Sequence, residues 1–310
     1  MPLHEPEPHL VRWYYLPDSI KKKDTMKAFA RKPILMFLGL TLTLSAILYI
    51  PIIGMGMGTQ GLLSLGIMWC PGLAALITSL VCYKSLKGLG WHWGKTRWQL
   101  LSYFLPFAYA GVVYGLIWIL GLGRVDVAAL SSMGTVQGVM KLLVLATVGT
   151  GISALGEEIG WRGFLVPELA KNLDWIRVSF YSGILWILWH TPLIVFSDYH
   201  ANTPLWFGWL CFAVMVMGLN FAYTWLRLKS DSLWTAVLLH GAHNFIIQII
   251  LDPLTINTGK TFYFTTEFGI GLALAGVITG IIFLKMGDPT NFRSPGRSCT
   301  PTGAHASRMK

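Results

Sequence analysis

The sequence predicts an all-α integral membrane protein, a bundle of about eight transmembrane helices. Three observations carry that prediction. Of the 310 residues, 54% are hydrophobic and only 12% are charged, about half the charged share of a soluble globular domain. Apolar stretches long enough to span a bilayer recur between residues 34 and 285. Lys and Arg collect in alternate connections between those stretches, the pattern that sets membrane orientation.

Residues 1–32 read as a cytosolic N-terminal arm. They carry prolines, acids and late basic residues with no early apolar core, so they do not form a cleavable signal peptide. Residues 33–286 read as the transmembrane domain. Its spans are expected at 34–54, 61–83, 99–121, 139–156, 178–197, 205–226, 232–251 and 267–285. Residues 287–310, rich in Gly, Pro, Ser and Thr, read as a disordered cytosolic tail. The spans lack the alternation of a β-barrel, and no internal repeat stands out. With the N-terminus in the cytosol, 21 of the 24 Lys and Arg residues fall on the cytosolic side. Only Arg124, Lys141 and Lys260 fall opposite, which places both termini in the cytosol. A bacterial inner membrane is the expected location, although an endoplasmic-reticulum membrane satisfies the same count. The net charge of +10 follows from this distribution rather than from a nucleic-acid surface. Membrane lipids are therefore expected partners and nucleic acid is not. Cys70, Cys82, Cys211 and Cys299 have neither ligand-like nor disulfide-like spacing.

Ionisable groups inside a bilayer are costly, and they raise a functional hypothesis by default. Glu157 and Glu158 lie at the end of the fourth span, and His190, His240 and His243 lie within later ones. If the fourth helix continues through residue 162, Glu158 and Arg162 share a face and pair. Glu157, rotated about 100° from its neighbour, is then free to face something else. Trp186 and His190 are four apart, as are His240 and Asn244, so each pair shares a face. Pro192 is expected to loosen the helix just beyond His190. Each feature has a plain structural alternative. The Glu-Glu-Arg cluster can be an interfacial ion-pair network. A buried His is more often a packing group, and an Asn often bonds a neighbouring helix. An acid, several imidazoles and an amide on three helices can also converge in a bundle core.

Such a set can deprotonate a water and donate to a developing oxyanion. That chemistry suits peptide hydrolysis without a Ser or Cys nucleophile. G-x-S-x-G and H-E-x-x-H are both absent from the chain. A zinc ion is compatible with Glu157, His190 and His240, since Glu and His both ligate it.

The ordered set E-E-x-x-x-R (Glu157, Glu158, Arg162), aromatic-x-x-x-H (Trp186, His190) and H-x-x-x-N (His240, Asn244) resembles the CAAX prenyl protease and bacteriocin-processing family of intramembrane proteases, also called Abi. The resemblance covers about residues 140–250. It implies that Glu157 activates water with His190 assisting, and that His240 and Asn244 hold the oxyanion. Glu158 and Arg162 would be supporting groups, with His243 beside them. The family usually has Phe where this chain has Trp186, which keeps an aromatic wall but changes the cavity's size. The resemblance further implies a peptide or prenylated-protein substrate and a site in the bundle core open toward the cytosol. It leaves metallo- and glutamate-type hydrolysis both open. The competing classes are a non-catalytic immunity or scaffold protein of the same fold, and a proton-coupled transporter. Against the transporter stands the lack of repeated halves with paired broken helices.

Overall fold

Leu42, Leu116, Leu188 and Ile278 are large, apolar and exposed on the outside of the chain. That inversion of a soluble surface is what lipid contact requires. The structure, a computed structural model, describes residues 18–58, 61–132 and 136–289. Most of the expected arm and tail lie outside the described residues.

Long helices follow the expected spans in order. They are α1 (Asp18–Tyr49), α2 (Gly61–Tyr83), α3 (Thr96–Ile119), α4 (Val136–Glu158), α5 (Trp175–Phe196), α6 (Leu205–Ser230), α7 (Trp234–Asn244) and α8 (Ile270–Lys285). Six spans among the described residues are long and apolar enough to cross a membrane, and α8 is a shorter apolar helix. The chain is an all-α integral membrane protein. Three helices run on as wider π-helical turns: α1 over Ile50–Gly54, α4 over Ile159–Leu165 and α7 over Phe245–Leu251. α1 also starts earlier than the first expected span and carries Pro33 within it. The expected loosening at Pro192 does not break α5, which continues to Phe196. The Asp174 side chain caps its start by accepting the Arg177 amide at 3.0 Å.

Small residues let the backbones meet. A Cβ on Gly72 of α2 would lie 2.4 Å from the Gly156 carbonyl oxygen of α4. A Cβ on Gly218 of α6 would lie 2.3 Å from the Gly276 backbone of α8. The first of these crossings pins the end of α4 that carries the two glutamates.

The two ends of the bundle are built differently. At the end nearer the described termini, Leu233 N donates to Gly90 O at 2.7 Å and Tyr83 Oη to Glu168 at 2.9 Å. Trp225 Nε1 donates to Gly287 O at 2.9 Å, so the expected tail is tied to α6 in its first residues. At the far end, Arg124–Val125 pairs antiparallel with Thr255–Ile256, Arg124 opposite Ile256. Thr258 and Thr261 bond Leu122 O there, closing the loops over α3.

Candidate active site

Glu158 is the last residue of α4, and the π-helix begins at Ile159. The helical path therefore continues, and Arg162 lies below Glu158 as expected. Arg162 Nη1 donates to both Glu158 oxygens, at 2.8 and 3.1 Å, with both side chains fully buried. Three further contacts hold the guanidinium. Nη2 donates to Asn220 Oδ1 at 2.7 Å, and Cζ sits 3.9 Å from the Trp186 ring centroid and 4.1 Å from that of Tyr223. Asn220 is itself fixed by donating to Ser179 O at 2.5 Å and Ser182 Oγ at 2.9 Å. The buried Arg227 donates Nε–H to the Arg162 carbonyl at 2.8 Å, taking up an acceptor within the π-turn.

Glu158 does more than the sequence pattern indicates. Its Oε1 also lies 2.9 Å from His240 Nδ1. A carboxylate shared by Arg162 and His240 fixes the imidazole ring and leaves Nε2 for the space beyond. Glu157 is buried and has a separate partner, Trp186, whose indole N–H donates to Oε2 at 2.8 Å. The tryptophan is therefore a hydrogen-bonding wall as well as an aromatic one. Its ring also packs edge-on against His190, at 5.8 Å between centroids, and His240, at 5.6 Å. The acid, the two imidazoles and the arginine thus meet around one indole. His190 Nδ1 lies 2.9 Å from Trp186 O, which leaves its Nε2 free.

Glu157, His190, His240 and Asn244 line one cavity of about 200 Å³. Asn244 is the last residue of α7, and among the described residues its amide has no hydrogen-bond partner. His243 lines the same cavity rather than standing behind it. Its Nδ1 is 2.5 Å from Tyr109 Oη and its Nε2 is 3.1 Å from Glu267 Oε1. Tyr199 Oη closes this chain by donating to Glu267 Oε2 at 2.9 Å. Sequence reasoning did not single out Tyr199, Asn220 or Glu267. An acid beside an apolar stretch and an amide inside one were the available signals.

The lining includes Ile52, Ser64, Tyr199, Gln248 and Glu267, which belong to the far half of the bundle. With the termini end in the cytosol, this cavity extends away from the cytosol. The expected orientation and the expected cytosolic opening therefore pull against each other.

The donor types suit a metal: carboxylate plus two imidazoles, each imidazole tied at Nδ1 to an oxygen as ligating histidines are. The arrangement does not. Among the described residues no three His, Cys, Asp or Glu side chains stand close enough to hold an ion, and Trp186 occupies one oxygen of Glu157. No step below is routed through a metal.

Fold and site together define a polytopic membrane protein with a buried acid–imidazole–amide cavity. Residues 139–246 match the family model described as type II CAAX prenyl endopeptidase Rce1-like. The chain is also similar to CAAX prenyl protease 2 of Methanococcus maripaludis, 31% identical over 119 residues. That match covers 36% of this chain and 44% of the relative's length. Both comparisons mark a similarity to CAAX prenyl endopeptidases, the family model over the region from α4 into the turns after α7.

Proposed function

We propose that the protein is an intramembrane endopeptidase that hydrolyses a peptide bond with a water activated by Glu157. The observation that carries this reading is the convergence of Glu157, His190, His240 and Asn244 on one cavity, three of them fixed from behind. Glu157 accepts a proton from water while His190 Nε2 orients it. The water oxygen bonds the scissile carbonyl carbon. The resulting oxyanion receives hydrogen bonds from the Asn244 amide and from Nε2–H of His240 in its protonated form, whose Nδ1–H stays on Glu158. Collapse breaks the C–N bond, and the proton held by Glu157 passes to the departing amine.

Two substrate classes fit this chemistry and differ in the side from which they arrive. A prenylated protein cut near its lipidated cysteine comes from the cytosol. A peptide precursor of the kind linked to bacteriocin processing can come from the other side. The far-half lining favours the second if the charge asymmetry sets the orientation, with both termini in the cytosol of a bacterial inner membrane. Cysteine labelling on a Cys-free background separates them. Reaction of loops 198–204 and 252–266 from outside supports the second class, and outside labelling of residue 90 reverses the orientation.

The test of the chemistry is Glu157→Gln, which keeps the shape and an acceptor for Trp186 but removes the base. Turnover of a fluorogenic prenylated peptide, and of a bacteriocin-type precursor in parallel, should be abolished while thermal unfolding in detergent stays near wild type. Near-normal turnover by this variant on a substrate the wild type cleaves refutes the mechanism.

A further inference from the structure

A second cavity, of about 530 Å³, lies at the termini end of the bundle, between the start of α3 and the end of α6. Lys95, Arg97 and Lys229 stand on its wall with the indoles of Trp98 and Trp225, and no lining residue is acidic. α3 begins at Thr96, so the positive end of its dipole lies at the same place. Two of the cations are held rather than dispersed. The Arg97 guanidinium lies 4.6 Å from the Trp98 ring centroid. Lys229 Nζ is 5.7 Å from the Trp225 ring and donates to Pro289 O at 3.2 Å. Lys95 and Arg97 both repel Lys229, and Asp288 opposes them. Trp91 and Trp93 are exposed on the connection just before α3, as aromatic side chains are at headgroup level.

Even with Asp288 beside Lys229, three cations around one hollow leave it net positive. Their position between helices at the membrane surface suits a phosphate bearing an apolar tail, with the indoles against its glycerol and upper acyl chain. We propose that this cavity binds the phosphate of an anionic phospholipid headgroup.

The full-length protein, stripped of endogenous lipid in detergent, would be titrated in three arms. These are phosphatidylglycerol, phosphatidylcholine with the same acyl chains, and inorganic phosphate, each read by native mass spectrometry and by thermal unfolding. Phosphatidylglycerol should form a discrete adduct and raise the unfolding midpoint, and phosphatidylcholine should do neither. Lys95→Gln with Arg97→Gln and Lys229→Gln should weaken the adduct by about a hundredfold, from roughly fivefold per cation. Lys95→Arg with Arg97→Lys, which keeps the charge, should retain it. If the triple variant does not fold, Arg97→Gln alone is read by the same adduct measurement. A phosphatidylglycerol adduct unaffected by these changes overturns the site. Equal binding of phosphatidylcholine overturns the charge recognition, and equal stabilisation by inorganic phosphate overturns the lipid as its source.

Discussion

Replacing Arg162 by alanine removes three kinds of contact at once. Glu158 loses its cation and becomes an uncompensated buried carboxylate, which typically costs about 3–5 kcal/mol. Asn220 Oδ1 loses a charge-assisted donor, for about 1–3 kcal/mol more. The faces of Trp186 and Tyr223 lose the guanidinium lying between them, each contact being worth on the order of 1 kcal/mol. Even with incomplete additivity, the loss is about 5 kcal/mol or more, a large part of a typical domain's total stability. At about 2–4 °C per kcal/mol for a chain of this size, the unfolding midpoint should drop by at least 10 °C. Glu158→Gln in turn leaves the buried Arg162 cation without its anion, yet it should cost less, because its amide oxygen still accepts from Arg162 and the Asn220 and aromatic contacts survive. The double variant Glu158→Gln/Arg162→Ala should then be more stable than Arg162→Ala alone, since the second change removes the stranded charge. Thermal unfolding of all four proteins in one detergent completes the cycle. Equal shifts for the two single variants, or a double variant worse than Arg162→Ala, would refute the buried-charge reasoning.

Trp186→Phe keeps a ring beside Arg162 and His190 but removes the indole N–H that holds Glu157 Oε2. It should lower kcat by about tenfold to a hundredfold, the worth of one hydrogen bond to a charged group, with a smaller change in KM. An unchanged kcat would mean that the indole does not position the base. Gly72→Ala places a methyl group against the Gly156 carbonyl and should shift the end of α4. A midpoint lowered by several degrees together with lost activity would bear this out, and wild-type behaviour in both would show that the crossing has room.

The sequence carried those parts of the site that are short-range. Glu158 and Arg162 are four residues apart, and their pairing needs only that the helix continue, which the π-turn allows. His240 and Asn244 share a face for the same reason. The bond from Trp186 to Glu157 links α5 to α4 across 29 positions and depends on how the two helices rotate against each other. Periodicity does not report that rotation. The Tyr109–His243–Glu267–Tyr199 chain joins four separate segments and is still less visible locally. The spans themselves were legible because bilayer thickness imposes their length. The continuity of α5 through Pro192 was not, because it depends on neighbours that support a locally weakened turn.

The candidate cavity is closed at its far end by Tyr199 and Glu267. Trp186, beside Glu157, and Phe196, at the far end of α5, are ten positions apart, so the helix rises about 15 Å between them. An extended peptide advances roughly 3.3 Å per residue. The Tyr199–Glu267 closure stands well short of that helical rise, lining the same cavity of about 200 Å³ as Glu157 with the Tyr199 ring 6.3 Å from that of His190, so on the proposed mechanism about two extended residues fit beyond the scissile bond. On that mechanism, so short a pocket with a polar floor is a ruler. The proposed function then carries an expectation of its own: cuts fall close to a chain end, with little reading of the sequence in between.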